Sequence, residues 1–159
     1  MQEEEKFLFH VTMVTHNSRT NERMKSLGII AGKPVELSEQ EEVNLVINFT
    51  RIVLKNNYKI LNFNICKNHV HFILYCSFEN LERIVGNIKS VTSKKCKKTN
   101  STNLWAQKFN RRVISNDKHL AYFMDYIKYN RAKHDLPENL RLQRLIEKML
   151  THYEELFQS

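Results

Sequence analysis

The stretch NICKNHVHFILYC, residues 64–76, decides how the rest of the chain is organised. Its apolar run is typical of a buried strand, yet the run opens with His69 and His71, two positions apart. Residues i and i+2 of a strand point to the same face of a sheet. We therefore expect the two histidines to project side by side, while Val70 and Phe72 point to a core covered by helices.

The segments around this stretch alternate between strand and helix patterns. β-Branched and aromatic residues predict strands at 6–15, 58–66, 69–76 and 104–115, with a turn at Lys67 and Asn68. Apolar residues at helical spacing predict helices at 38–57 (N-cap Ser38), 77–95, 116–134 and 138–157. This order indicates an α+β, ferredoxin-like (split βαβ) fold, with one antiparallel sheet, helices on one face and additional C-terminal helices. We expect one domain over residues 1–137, with 138–159 as an amphipathic helix packed on it.

The distribution of charge points to a polyanionic partner. The net charge is +8, and no acidic residue occurs between Glu82 and Asp117. Such segregation predicts a basic face that binds nucleic acid, and a solvated basic loop is the alternative. The candidate DNA-binding residues are Lys94, Lys95, Lys97, Lys98, Arg111 and Arg112, together with Arg19 and Arg23 in the 16–34 loop.

Cellular location is predicted from three features of the sequence. No stretch approaches the roughly 18 apolar residues that a membrane span requires. The N-terminal MQEEEKFLFH has acidic residues where a secretory signal has basic ones. The three cysteines are an odd number without paired spacing, which fits a reducing compartment. We expect a cytoplasmic protein with no membrane segment.

Three interpretations of the histidine pair compete. A histidine-triad hydrolase needs a third alternating histidine, but that position is Ile73. A structural zinc site could combine Cys66 with both histidines, although Cys66 precedes His69 by three residues, across the expected turn. The third interpretation is a divalent-metal site completed by a ligand and a nucleophile from elsewhere in the chain.

The predicted helix at 116–134 contains residues suited to complete such a site. Tyr126 and Asn130 are four residues apart and share one helical face. Tyr122 lies on that face one turn earlier, whereas Tyr129 is rotated away. Placed against the open face of the sheet, this helix could present a nucleophilic phenol and an amide oxygen to the histidines.

These motifs together resemble a known family. VTMVTHNSR (11–19), NHVH (68–71), LWAQKFNRRVISNDKHL (104–120) and YIKYNRAKHDLP (126–137) are similar, in this order, to motifs of the single-tyrosine HUH transposases, especially the REP-associated tyrosine transposases. The likeness covers roughly residues 7–137. It implies that His69 and His71 bind the metal, that Asn130 is the amide ligand and that Tyr126 is the nucleophile. Arg131 stands where the family commonly has proline.

The resemblance also implies a reaction. With Mg²⁺ or Mn²⁺, such an enzyme cleaves and rejoins single-stranded or hairpin DNA through a 5′-phosphotyrosine intermediate. The family includes monomers and dimers, so the resemblance is compatible with a homodimer but does not predict one. Two alternatives are a non-catalytic nucleic-acid-binding module of the same topology, although the aromatic RNP signature is absent, and a domesticated transposase that retains DNA binding and cleavage.

Overall fold

A computed structural model describes residues 2–16, 27–28, 34–96 and 104–158. The strands are β1 (Lys6–Val14), β2 (Lys59–Cys66), β3 (His69–Ser77) and β4 (Asn110–Ile114). They form one sheet in the order β2-β3-β1-β4, and every neighbouring pair is antiparallel. The helices are α1 (Glu39–Asn56), α2 (Phe78–Lys94), α3 (Asp117–Lys128), α4 (Asn130–Lys133) and α5 (Leu140–Met149), followed by a 3₁₀ turn at Tyr153–Phe157. The predicted α+β, ferredoxin-like arrangement is confirmed.

Alternation along the strands gives the sheet two different faces. Phe9, Val11, Val70 and Phe72 are fully buried in the larger core, which includes the apolar residues of α1 and α2. Burying one such side chain contributes about 1.5–3 kcal/mol, so this face dominates the stability of the fold. Val70 and Phe72 therefore point where the sequence predicted.

The opposite face carries a smaller apolar cluster and is covered by α3. Ile73 of β3 and Ile114 of β4 pack there against Phe123 and Ile127 of the helix. His69, His71 and Ile73 are two residues apart along β3, so the two histidines also project from this second face. The sequence predicted helices on one face, but α3 covers the second face as well, and the histidines lie on its side of the sheet.

The start of α1 and the buried face of α2 follow directly from the local sequence. Ser38 Oγ accepts a hydrogen bond from the N–H of Glu41 at 3.2 Å, and Glu41 Oε1 accepts one from the N–H of Ser38 at 3.1 Å. This capping box satisfies two backbone donors and sets the beginning of α1. In α2, the predicted apolar stripe is buried: Leu81, Ile84, Val85 and Ile88.

The predicted C-terminal helix at 138–157 is shorter than expected and ends at Met149. Leu150 is extended and forms a parallel bridge with Ile60, and the N–H of Thr151 donates to the Ile60 carbonyl at 2.8 Å. As an edge strand, β2 has backbone groups that no neighbouring strand uses. Residues 150 and 151 pair with these groups instead of continuing α5. The division between a domain at 1–137 and a C-terminal segment at 138–159 stays a prediction. Helix α5 does contribute buried side chains to the larger core.

The predicted strand at 104–115 begins only at Asn110. Leu104 and Trp105 are instead buried in the larger core, and the indole N–H of Trp105 donates to Thr92 Oγ1 at 2.8 Å. Residues 104–106 still pair briefly with the end of β1, through a bridge between Trp105 and Thr15, and the ladder resumes at Asn110. Within the described residues, no helix has the length and apolar content needed to cross a membrane.

Candidate active site

The pairing of β1 with β3 builds the floor of the site. The rings of His69 and His71 lie 4.9 Å apart, and both residues are almost fully buried. The strand register sets Thr12 opposite His71, and Thr12 Oγ1 is 3.0 Å from its Nδ1. His10 Nε2 is 3.1 Å from the same nitrogen. His10 and Thr12 are site residues that the sequence reasoning missed. Alternation along β1 predicts that His10 and Thr12 share one face of the sheet. Their contact with His71 depends on the pairing of β1 with β3, which the sequence does not show.

Hydrogen bonds select the ring nitrogen that each histidine can offer to a metal. Nδ1 of His69 lies 2.7 Å from the amide oxygen of Asn68, which can only accept, so the ring donates through Nδ1–H. Burial, with a smaller contribution from Arg112, lowers the pKa of His10 to about 4, so His10 is neutral, and the bond between its Nε2 and Nδ1 of His71 can run in either direction. Protonation at Nδ1 leaves the lone pair of His69 on Nε2, where a metal can bind, and the same holds for His71 when its Nδ1 is the donor to His10.

The lowered pKa of His10 predicts a stability loss in acid. Its pKa is about 4 in the folded protein against 6.5 for an ordinary histidine, so the unfolded chain binds the proton more readily between these values. The free energy of unfolding should therefore fall as the pH drops from about 6.5 to about 4, by an amount on the order of 2 kcal/mol. Chemical denaturation across this range in the presence of chelator measures the slope. His10→Gln should flatten it, and His152→Gln, at an exposed position, should not.

Helix α3 is attached to the sheet by two side-chain amides of β2. Nδ2 of Asn62 donates to the Met124 carbonyl at 3.0 Å, and Nδ2 of Asn64 donates to the Ile127 carbonyl at 2.9 Å. These bonds reach carbonyls in the last turns of the helix, where intrahelical N–H donors run out. The helix is thereby fixed with half-buried Tyr126 over the histidines. Its ring lies 5.3 Å from that of His71.

The helix predicted at 116–134 is interrupted, and that expectation is wrong. Helix α3 ends at Lys128, Tyr129 has φ −96° and ψ 7°, and α4 begins at Asn130. The side chain of Arg131 fixes the segment that follows the break. Its guanidinium donates to Glu42 Oε2 at 2.6 Å and to the Ile65 carbonyl at 2.9 Å, which holds this segment against the ends of α1 and β2.

The break changes how the helix residues reach the histidines. Asn130 is 1% exposed and enters the site on α4 rather than on a continuous face shared with Tyr126. Tyr122 stacks on Tyr126 with ring centroids 6.3 Å apart, as expected for residues one turn apart. Tyr129 is rotated away and exposed, as predicted.

The amide of Asn130 lies between two potential metal ligands. Its Oδ1 is 3.1 Å from Nε2 of His69 and accepts from the thiol of Cys66 at 2.8 Å. Its Nδ2 is buried and has no hydrogen-bond partner among the described residues. Because His69 presents a lone pair to the amide oxygen, this contact is favourable only with a cation or a proton between them. The donor set therefore fits a metal ion.

The turn at Lys67 and Asn68 brings Cys66 into the site instead of separating it. A two-residue connection pairs Cys66 directly with His69 across the hairpin. The exposed ring of His134, at the end of α4, lies 5.0 Å from that of His69. The ligand atoms of Cys66, His69 and His134 lie within 4.8 Å of one another, so these residues form a candidate metal site within the described part of the chain. Burial raises the pKa of the Cys66 thiol to about 11.

The predicted DNA-binding residues fall in different places. Arg112 lies opposite His10 on the site face and, with Tyr122 and Tyr126, lines an open groove of about 450 Å³. Arg111 reaches Glu82 at 2.7 Å, toward α2. Lys94 and Lys95 are exposed at the end of α2, which packs on the opposite face of the sheet. Four further candidates lie outside the described residues: Arg19, Arg23, Lys97 and Lys98.

Comparison with known proteins decides the family. Residues 36–130 match the model of a family described as IS200-like transposases. The chain belongs to the IS200-like transposase family. The matched interval includes both histidines of β3, Tyr126 and Asn130.

Several solved structures are similar to this family member. One is a REP-associated tyrosine transposase bound to a REP hairpin, with 19% identity, a TM-score of 0.55 and coverage of 84% of this chain and 72% of that one. Another is a Deinococcus radiodurans R1 protein assigned as a transposase, with 15% identity, a TM-score of 0.46 and coverage of 80% and 96%. No curated protein matches the sequence.

Proposed function

We propose that this family member cleaves and rejoins single-stranded or hairpin DNA by transesterification, with Tyr126 as the nucleophile. The observation that carries the proposal is the position of the Tyr126 ring, 5.3 Å from that of His71, in a groove lined by Arg112. Within one chain, α3 already places Tyr126 beside His71, which supports attack in cis. The solved transposase bound to a REP hairpin supports hairpin DNA as the substrate.

The residues proposed to hold a divalent cation, Mg²⁺ or Mn²⁺, are His69, His71 and Asn130. Such a cation, when bound, supplies a Lewis acid that polarises the scissile phosphate. Asn68 fixes the ring of His69 through Nδ1, and Thr12 contacts Nδ1 of His71. Partners of this kind orient the ligand rings and maintain the tautomer that a metal requires.

The chemical step forms one bond and breaks another at a single phosphorus atom. The phenol oxygen of Tyr126 attacks the phosphorus and loses its proton, the bond from phosphorus to the 3′ oxygen breaks, and the departing oxygen takes up a proton. The products are a 5′-phosphotyrosine and a free 3′-hydroxyl. Because one phosphodiester replaces another, a second 3′-hydroxyl can reverse the reaction and rejoin DNA without a nucleotide cofactor.

A covalent adduct tests the proposal. The protein incubated with Mn²⁺ and a hairpin oligonucleotide labelled at its 3′ end should give a labelled protein–DNA band that survives denaturing electrophoresis, and chelator should abolish it. His71→Ala should lose the adduct because a ligand is removed, whereas His119→Ala, outside the proposed ligand set, should keep it. Cleavage without an adduct, or an adduct that forms equally in chelator, would contradict the proposed mechanism.

Arg112 is proposed to contact a DNA phosphate in the groove, and Arg111 provides a matched control. Each phosphate contact to a single strand contributes about −0.7 to the slope of log K against log salt concentration. Arg112→Gln should weaken binding and flatten this slope by about that amount. Arg111→Gln should have the smaller effect, since Arg111 is already paired with Glu82 at 2.7 Å. Equal losses in the two variants would place the DNA path elsewhere.

A further inference from the structure

The group formed by Cys66, His69 and His134 differs in chemistry from the ligand set proposed for catalysis. A thiolate and imidazole nitrogens favour borderline and soft cations such as Zn²⁺, whereas Mg²⁺ prefers oxygen ligands. Cys66 and His134 have no part in the proposed reaction. Their placement beside His69 therefore needs a separate explanation.

The geometry of this group is close to that of a tetrahedral metal site. Its ligand atoms lie within 4.8 Å of one another. Ligand atoms around a tetrahedral zinc are roughly 3.5 Å apart, so the site must close by about 1 Å. Cys66 and His69 are held by adjacent strands, while the exposed His134 ring at the end of α4 has room to move inward.

Asn130 supplies an independent sign that a ligand belongs here. Its Oδ1 is within 2.8 Å of Cys66 Sγ and 3.1 Å of His69 Nε2, so three polar atoms converge in a buried space. Its Nδ2 is buried without a partner among the described residues. An amide N–H donates and does not bind a cation, so the oxygen of the same amide is the atom that can join the ligand set. The amide oxygen or a water then provides the fourth ligand.

We propose that Cys66, His69 and His134 bind a thiophilic divalent cation of the zinc type. Binding displaces the thiol proton of Cys66 to solvent and forms a metal–thiolate bond. His69 also belongs to the set proposed for Mg²⁺ or Mn²⁺, and its Nε2 can bind one metal at a time. Zinc-type cations therefore exclude the catalytic cation and inhibit DNA cleavage. This inhibition rests on the proposed function, whereas the binding does not.

Co²⁺ is the probe for binding, because a cobalt–thiolate bond gives a charge-transfer absorption in the near ultraviolet. The metal-free protein titrated with Co²⁺ should show this band, and Cys66→Ser should abolish it. Cys76→Ser is the matched control, since both cysteines are buried in strands, at 2% and 5% exposure. It should keep the band. His134→Gln, at an exposed position that the fold tolerates, should weaken Co²⁺ binding by at least about tenfold.

The outcomes separate this inference from the proposed function. A charge-transfer band that persists in Cys66→Ser, or cobalt binding without any such band in the unaltered protein, would overturn the thiophilic site. So would unchanged cobalt affinity in His134→Gln. Adduct formation in Mn²⁺ is measured independently and would still stand in those cases. Where the adduct forms, micromolar Zn²⁺ should inhibit it, and Cys66→Ser should relieve the inhibition while Cys76→Ser should not.

Discussion

Tyr126→Phe should reduce DNA cleavage by at least about 10⁴-fold and abolish the covalent adduct, because it removes the oxygen that attacks phosphorus. The ring itself is retained, with its contacts to His10 at 5.9 Å and to His71 at 5.3 Å between ring centroids. Binding of a hairpin oligonucleotide should therefore stay nearly unchanged. Denaturing electrophoresis of the labelled adduct measures the first effect, and fluorescence anisotropy measures the second.

Tyr122→Phe is the control for this experiment. Tyr122 stacks on Tyr126 and lines the same groove, but it is more exposed and one turn farther from Asn130. This variant should retain the adduct. If it loses the adduct while Tyr126→Phe retains it, the nucleophile has been assigned to the wrong tyrosine.

Arg131→Ala should lower the free energy of unfolding by about 3–5 kcal/mol, since it leaves the carboxylate of Glu42 buried without its counter-ion. The two side chains are 12% and 3% exposed and meet at 2.6 Å. Urea denaturation at neutral pH measures the loss. Arg51→Ala, on the exposed side of α1, should change the same quantity by no more than about 0.5 kcal/mol.

The pH dependence of this loss provides a specific signature. Burial already raises the pKa of Glu42, although Arg131 opposes the shift. Without Arg131 the pKa should rise further. A raised pKa in the folded state favours folding at low pH, where the carboxyl is protonated, and this contribution disappears as the pH rises through the folded-state pKa. The difference between Arg131→Ala and the unaltered protein should therefore shrink in acid. A difference that is constant with pH would mean that lost packing, rather than the unpaired charge, causes the instability.

The strand and helix pattern and the parity of the histidines were predictable because both depend on local chemistry. Alternation with a period of two is a property of any strand, so His69 and His71 had to share a face opposite to Val70 and Phe72. Ser38 followed by Glu41 satisfies helix donors regardless of what the helix packs on. These features required no knowledge of which segments meet in space.

The surroundings of the histidines were decided by tertiary structure alone. His10 and Thr12 reach His71 through the register of β1 against β3, a contact between residues about sixty positions apart. Arg131 bonds to Glu42 from α4, beyond a break in the helix that local spacing did not predict. Cys66 meets His69 because a two-residue turn pairs the strand ends. Periodicity specifies which way a side chain points, but pairing and buried charge determine what it touches.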